Sequence, residues 1–271
     1  MTNATQLTSL QNPRVKEVVQ LMKRPNRDEQ RVVLVEGYRE VKRALDNNIR
    51  PSALYYCPAL FMGENEGTLV ERSAAAGAEL FECTEPVFRK MAYRDRPEGL
   101  LAVAPQARKS LADLDLPDAA LVVVAEAIEK PGNLGSIIRS ADAVGVHAVI
   151  VCDRCTDVWN PNVVRASIGT VFSLPVVEAA TDEALPWLKA KGIRILAATP
   201  HAKETYADAD MKRGTAIVVG AEQIGLSSRW MNEADVQVRI PMLGQVDSLN
   251  VANATTILLY EAARQRGFYR M

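Results

Sequence analysis

The sequence contains few histidines and cysteines. It has two histidines, His147 and His201, and four cysteines in 271 residues. So little histidine gives poor support to hydrolases that use a histidine base. The four cysteines fit free thiols of a reducing compartment. Cys152 and Cys155 have the spacing of half a zinc site, but no second pair is present to complete it, so we expect neither a metal nor a redox centre.

Long apolar runs, a leader segment and an excess of charge are also missing. No apolar stretch reaches the roughly 18 residues that indicate a membrane span. The opening residues Met1–Gln6 lack the charged start and apolar core of a signal peptide. We therefore expect a cytoplasmic protein without membrane contact. The net charge of −1 means that any nucleic-acid surface must come from a local surplus of cations.

The usual nucleotide-binding motifs are absent as well. No Gly-x-x-x-x-Gly-Lys-Ser/Thr loop occurs, and the glycine pattern at 220–225 carries a glutamate, Glu222, near its centre. The dinucleotide motif needs a small residue there, because the backbone must approach a pyrophosphate. A carboxylate repels that anion and suits a cationic or hydroxyl-rich ligand. NAD and ATP are therefore not expected.

Short apolar runs alternate with helical patterns along the chain. In the second part they lie at 120–125, 147–152, 172–177, 193–198, 215–219 and 236–240. This alternation predicts an α/β fold with a mostly parallel six-stranded sheet and helices on both of its faces. Further runs at 32–35, 53–56, 79–82 and 100–104 predict a small amino-terminal α/β domain.

A change in composition separates these two parts. Residues 105–117 contain two prolines, mixed charge and no sustained period, which is typical of a linker. We predict a substrate-binding domain over 1–107, a linker over 108–118 and a second domain over 119–271. The length of 271 residues and the 48% of hydrophobic residues allow two cores.

Polar residues cluster where predicted strands end. They include Asn133 and Arg139 after one strand, Glu222 after another, and Ser248 and Asn250 before the last helix. The carboxyl ends of parallel strands meet at one edge of a sheet, where ligands bind. Ser, Asp and Asn are also ordinary helix N-caps. The last segment alone therefore leaves a ligand site and a structural cap equally open.

Three segments together resemble the motifs of the SpoU (TrmH) RNA 2′-O-methyltransferases in order and spacing. They are Asn133-x-Gly135-x3-Arg139, Gly220-x-Glu222-x2-Gly225 and Ile240-Pro-Met-x-Gly244-x3-Ser248-Leu-Asn250. The resemblance covers roughly residues 119–266. Leu10–Lys16 followed by Leu34–Tyr38 is similar, less specifically, to the substrate-binding extension of the rRNA-modifying members.

This resemblance implies fold, reaction and partners. The implied fold is of the SPOUT type, with a trefoil knot at the carboxyl end. The implied reaction is methylation of a ribose 2′-hydroxyl in RNA from S-adenosylmethionine, with 23S-type rRNA favoured over tRNA. A protein of the same fold that binds RNA or ribosomes without catalysis is the alternative. The implied assembly is a homodimer, with Ala254, Leu258 and Ala262 contributing to its contact.

The resemblance also implies residue roles. Arg139 acts on the target hydroxyl, Asn133 and Glu222 orient Arg139, and Ser248 and Asn250 line the target nucleotide. The residues expected along the cofactor are Thr199, Gly220, Ile240, Met242 and Leu249. An arginine is almost always protonated and is a poor base. Arg139 could instead hold a phosphate and stabilise a developing alkoxide, and the sequence leaves both roles open.

A local surplus of cations suggests where RNA binds. Residues 12–31 hold six basic residues and three acidic ones. The predicted RNA-binding residues are Arg14, Lys16, Lys23, Arg24 and, farther along the chain, Arg165. Such a surplus can contact phosphates while the remaining surface stays neutral. The alternative is a solvated helix face.

Overall fold

The computed structural model describes residues 4–268, which form two compact units. The first comprises the described residues up to Ala107 together with Asp157–Ser173. The second comprises Arg108–Thr156 and the described residues from Leu174 onward. The predicted domains, 1–107 and 119–271, differ from this division in the segment 157–173. Their first and last three residues lie outside the described part of the chain.

The first unit contains a five-stranded mixed sheet. Its strands are β1 (Thr5–Leu7), β2 (Val32–Glu36), β3 (Ala53–Tyr56), β4 (Glu79–Cys83) and β5 (Leu100–Pro105), in the order β1-β4-β3-β5-β2. Only β5 runs antiparallel to its neighbours β2 and β3. The helices are α1 (Pro13–Gln20), α2 (Arg24–Gln30), α3 (Tyr38–Asp46), α4 (Glu66–Ala75), α5 (Glu85–Met91) and α7 (Pro161–Ala166). The predicted α/β character of this part is confirmed.

A buried ion pair ties the segment 157–173 to this unit. The side chains of Arg27 and Asp157 are 1% and 4% exposed, and an Arg27 Nη2 to Asp157 Oδ2 distance of 2.6 Å joins them. Arg27 Nη1 also donates to the carbonyls of Leu21 and Met22 at 2.7 Å. These acceptors offset the cost of burying the guanidinium. Removing either side chain would leave the other charge buried without its partner. The pair therefore holds the start of the segment 157–173 in place.

The second unit contains a seven-stranded sheet in which every pairing is parallel. Its strands are β6 (Leu121–Glu126), β7 (Ala148–Cys152), β8 (Val176–Ala179), β9 (Arg194–Ala198), β10 (Glu204–Thr205), β11 (Thr215–Val219) and β12 (Val236–Arg239). The order is β10-β12-β9-β11-β6-β7-β8. Five of the six predicted strands are confirmed at their places, whereas the run 172–177 overlaps β8 only at Val176 and Val177 because Thr170–Phe172 forms a 3-10 helix. The edge strand β10 was not predicted, because two residues cannot show a pattern.

Helices cover both faces of this sheet, as predicted. They are α6 (Pro131–Ala143), α8 (Thr181–Ala190), α9 (Ser228–Glu233) and α10 (Val251–Gln265). Val122 and Val124 of β6 pack with Leu185 of α8 and Trp230 of α9. Alternate residues of a strand point to opposite faces. On the other face α10 packs against α6 and β11. The trefoil knot remains a prediction.

The end of α10 is anchored by one side chain. Arg266 donates to the backbone carbonyls of Ala119, Met211 and Arg213, each at 2.6 Å. Ala119 and Arg213 immediately precede the neighbouring strands β6 and β11. The guanidinium therefore connects the carboxyl end of α10 to the entrance of two central strands, and this keeps the helix in register with the sheet.

Candidate active site

The second unit brings four loops to one edge of its sheet. The neighbouring parallel strands β12, β9, β11 and β6 all have their carboxyl ends there. In the sheet, β7 and β8 follow β6 on one side, whereas β9 lies on the other side of β6, beyond β11. The order of strands therefore reverses beside β6. A crevice forms at such a reversal, because the connections on its two sides leave in opposite directions.

A cavity of about 610 Å³ occupies this crevice. All five predicted cofactor residues line it, namely Thr199, Gly220, Ile240, Met242 and Leu249. Glu222, Ser248 and Asn250 line it too. These predicted residues lie up to 51 positions apart in the chain, and the fold brings them to one cavity. The volume falls within the range of small-molecule sites, roughly 300–1,000 Å³.

The cavity has an apolar side and a polar side. Ala198, Val219, Val238 and Leu258 provide apolar surface from the strand ends and from α10. These residues were not predicted as site residues, because in sequence they are ordinary core positions. The polar groups come from the start of α6 and from the loops that follow β11 and β12. The arrangement suits a ligand with one flat apolar part and one charged part.

Two glycines shape the loop that carries Glu222. A Cβ atom at Gly220 would lie 2.4 Å from the carbonyl carbon of Gly225, and Ala221 and Gly225 form an isolated antiparallel bridge. Gly225 has φ +70°, a conformation that side chains disfavour. The glycine spacing therefore serves close backbone packing within the loop.

Glu222 lies at the centre of a hydrogen-bonded cluster. Asn133 Nδ2 donates to Glu222 Oε1 at 2.5 Å, and the backbone N–H of Glu129 donates to Glu222 Oε2 at 3.3 Å. Asn250 Nδ2 donates to Asn133 Oδ1 at 3.1 Å. Asn250 Oδ1 in turn accepts from the N–H of Ala252 at 2.9 Å and caps α10. The cluster joins the first turns of α6 and α10 to the loop after β11.

The cluster favours the ionised form of Glu222. Partial burial tends to raise the pKa of Glu222, but the hydrogen bonds from Asn133 and from backbone N–H groups outweigh it and lower the pKa below its ordinary value. Asn250 is thus the helix cap and also lines the cavity. Its role in ligand binding stays a prediction.

Glu126 is a further buried carboxylate at this edge. It ends β6, is 4% exposed, and accepts from the backbone N–H of Ser227 at 2.8 Å. This bond fixes the exit of the loop after β11 against β6. The sequence signal was a glutamate directly after an apolar run, which indicates a buried polar group that needs a partner.

Arg139 lies apart from this cluster. It is exposed on α6, does not line the cavity, and has no hydrogen bond or ion pair with any described residue. Six helical positions separate it from Asn133, which amounts to about 9 Å along the axis and about 240° around it. The expectation that Asn133 and Glu222 orient Arg139 is therefore not met within this chain, because those side chains bind each other.

The residues expected at a dimer contact take part in packing within the chain itself. Leu258 and Ala262 are fully buried, and Ala254 and Leu258 line the cavity. Their helical spacing reflects packing of α10 on the sheet. This corrects the expectation for Leu258 and Ala262, whereas Ala254 is partly exposed and its place in a dimer contact stays a prediction. The exposed residues of α10 include Asn253 and Tyr260.

The predicted RNA-binding cations of the first unit differ in their surroundings. Arg14 pairs with Glu79 at 3.2 Å, and Arg24 pairs with Asp28 at 3.1 Å. Lys16, Lys23 and Arg165 are exposed and have no ion pair among the described residues. Arg27, counted in the basic surplus, is buried. The free cations in this set are therefore Lys16, Lys23 and Arg165.

Among residues 4–268 no group of three or more His, Cys, Asp or Glu side chains could hold a metal ion. Cys152 is buried, and burial raises the pKa of its thiol to about 12, whereas Cys155 is exposed. Over the same residues, no helix is both long and apolar enough to span a membrane.

Two family models match the chain. The model of the SpoU rRNA Methylase family matches residues 120–260. The model of the MRM3-like substrate binding domain matches residues 12–102. The first match contains every residue that lines the cavity. The second runs from the start of α1 into β5 and leaves β1 outside.

Individual proteins match over nearly the whole chain. The 23S rRNA (guanosine(2553)-2′-O)-methyltransferase RlmP of Bacillus subtilis (strain 168) is 28% identical, over 94% of this chain and 98% of its own. A crystal structure of an RNA 2′-O ribose methyltransferase is 42% identical, covers 97% and 99% of the two chains, and has a TM-score of 0.86. The structure of an AdoMet-bound rRNA methyltransferase from Sinorhizobium meliloti is 33% identical, covers 96% and 98%, and has a TM-score of 0.88.

Proposed function

The chain belongs to the SpoU rRNA methylase family, and from this premise we propose that it methylates a ribose 2′-hydroxyl of ribosomal RNA with S-adenosylmethionine. The observation that carries the proposal is the cavity. It collects every predicted cofactor residue together with Glu222, Ser248 and Asn250 at one sheet edge.

The residues present fit S-adenosylmethionine. The apolar surface of Val219, Val238 and Leu258 suits an adenine ring, and the backbone of Ile240, directly after β12, lies at the cavity for its polar edge. The bound cofactor supplies a methyl group activated by a sulfonium. The ionised Glu222 places a negative charge at the wall of the same cavity, where it favours a cationic ligand.

The chain's own residues position the acceptor. We assign Ser248 and Asn250 to the target nucleotide, because both line the cavity from the exposed loop before α10. The hydrogen bonds from Asn133 to Glu222 and from Asn250 to Asn133 hold that loop and the start of α6 in one geometry. Most of the rate enhancement then comes from alignment of the hydroxyl with the methyl group.

Arg139 is assigned to the ribose and its phosphate. Its guanidinium is exposed and has no partner among the described residues, so its donors are available to RNA. A planar fork binds a phosphate through two parallel hydrogen bonds and stabilises negative charge that develops on a nearby oxygen. This role needs no deprotonation of the arginine.

We propose that the first unit determines which RNA the enzyme binds. Its match to a substrate-binding model at residues 12–102 supports ribosomal RNA over tRNA, as does the name of the Bacillus subtilis relative. The free cations Lys16, Lys23 and Arg165 are its proposed phosphate contacts. We place the enzyme in the cytoplasm, where this substrate is made.

A homodimer is proposed for the active form. The exposed residues Asn253 and Tyr260 give α10 an outer face that a second copy can cover. Sedimentation of the active enzyme as a 29.7 kDa monomer would contradict this assembly.

The test of the function is mapping of ribose methylation. Total RNA from cells with and without the protein is digested and its nucleosides are located by mass. We expect one 2′-O-methyl group to disappear from 23S-type rRNA when the protein is removed. Loss of a methyl group from tRNA would transfer the proposal to that substrate, and no change in any RNA would refute it.

A further inference from the structure

Two charged side chains line the cavity without a partner. Lys130 and Asp247 are both exposed, and neither has a hydrogen bond or ion pair from its side chain to any described residue. Neither belongs to the residues assigned above. Glu222 is different, because its carboxylate already accepts from Asn133 and from the backbone.

The backbone fixes where both side chains start. Lys130 is the N-cap of α6, three positions before Asn133, and its own N–H contributes to holding Glu222. Asp247 lies in the loop between β12 and α10, three positions before Asn250. Asn133 and Asn250 are hydrogen-bonded to each other. Both free charges therefore start beside the cluster, on the polar side of the cavity.

The charges of the cavity complement those of the proposed cofactor. Apart from the imidazole of His201, the ionisable side chains that line the cavity are Lys130, Glu222 and Asp247. They provide one positive and two negative charges. S-adenosylmethionine carries two positive charges, the sulfonium and the ammonium, and one negative carboxylate. The amino-acid end of this molecule needs one cationic and one anionic partner.

We propose that Lys130 binds the carboxylate and Asp247 binds the ammonium of the methionine part of S-adenosylmethionine. The adenosine part then lies on the apolar side, against Val219, Val238 and Leu258. This assignment rests on the proposed function, since it names partners for the same cofactor. It makes Lys130 and Asp247 binding residues for the amino-acid end only.

Two ligands distinguish residues that bind the amino-acid end of the cofactor from residues that bind its adenosine part. S-adenosylhomocysteine keeps the amino-acid end, whereas 5′-methylthioadenosine has the same adenosine and sulfur but lacks it. Calorimetric titration of the full chain with each ligand is done for the wild type, Lys130→Met and Asp247→Asn. We expect each variant to bind S-adenosylhomocysteine about three- to tenfold more weakly, the size of a partly exposed ionic hydrogen bond. Binding of 5′-methylthioadenosine should not change.

Matched controls remove a charge outside the cavity. Lys203→Met and Asp115→Asn alter exposed residues of the same unit that do not line it. Both controls should bind the two ligands as the wild type does. A loss of equal size in the controls would indicate a long-range charge effect and would overturn the proposal.

Other outcomes are also decisive. If Lys130→Met binds S-adenosylhomocysteine normally but binds RNA with a smaller salt dependence, Lys130 contacts phosphate and the proposal is wrong. If both ligands weaken equally, the substitutions alter the shape of the cavity, and the proposal is wrong again. If the wild type binds neither ligand, the proposed function itself fails, which is a distinct result.

Discussion

At the scale of single residues, Arg139 is the side chain on which the proposed chemistry depends most. We expect Arg139→Ala to lower methyl transfer by about a hundredfold or more, the usual effect of removing a donor that stabilises developing charge. Arg139→Lys should fail similarly, because a point charge cannot replace a planar fork. Single-turnover transfer of labelled methyl groups to RNA measures both variants.

Cofactor binding gives the control for this prediction. Arg139 does not line the cavity, so both variants should bind S-adenosylhomocysteine nearly as the wild type does. Arg213→Ala, which removes an exposed arginine paired with Asp210, should leave transfer intact. Near-normal turnover in either Arg139 variant would remove Arg139 from the mechanism.

Arg27 shows that the number of basic residues in a segment does not tell which of them are exposed. In sequence it is one of six basic residues in a surplus that suggests an RNA surface. In the structure it is buried against Asp157, a residue 130 positions away. Nothing local distinguishes it from Lys23 or Arg24, because its partner comes from a distant segment. Only the tertiary contact decides that this cation is structural.

At the scale of elements, the loop 220–225 should tolerate no side chain at its first position. We expect Gly220→Ala to lower the free energy of unfolding by about 1–3 kcal/mol, as overpacking typically does, since its Cβ would meet backbone atoms of Gly225 at 2.4 Å. Gly220 lines the cavity, so binding of S-adenosylhomocysteine should weaken as well. Urea unfolding and calorimetry measure the two effects.

Gly244 provides a matched substitution in the neighbouring loop. No atom lies within 4 Å of a Cβ atom built there, and its φ is not in the left-handed region. Gly244→Ala should therefore change neither stability nor cofactor affinity noticeably. If Gly220→Ala were as mild as Gly244→Ala, the loop would be more adaptable than its close backbone packing indicates.

At the scale of the whole molecule, chemistry and RNA recognition should be separable. Replacing Lys16, Lys23 and Arg165 together by glutamine should weaken RNA binding and flatten its dependence on salt. Each lost phosphate contact removes about 0.7 to 0.9 from the slope of log affinity against log salt. Affinity for S-adenosylhomocysteine should not change, because the cavity lies in the second unit. RNA binding at several salt concentrations measures the slope.

The paired cations give the comparison for that experiment. Arg14 and Arg24 already face Glu79 and Asp28. Replacing these two by glutamine should reduce the slope less per residue than replacing the free cations. An unchanged slope in the triple variant would show that Lys16, Lys23 and Arg165 are merely solvated, and the RNA surface would have to lie elsewhere.

The sequence by itself determined most of the elements and which loops meet at the cavity. Apolar runs located five of the six longer strands of the second sheet, since strands buried on both faces read as continuous apolar segments. The motif spacing identified the residues that meet at one edge, because parallel strands present their carboxyl ends together. All five predicted cofactor residues consequently line one cavity.

Tertiary structure alone decided how those residues pair. It joined Asn133 to Glu222 and Asn250, turned Arg139 away from them, and buried Leu258 and Ala262 in the chain's own core. It also left the side chains of Lys130 and Asp247 at the cavity without partners among residues 4–268. Periodicity reports which side of an element is apolar, but partners are set by contacts between segments far apart in the chain, and these depend on how the whole fold packs.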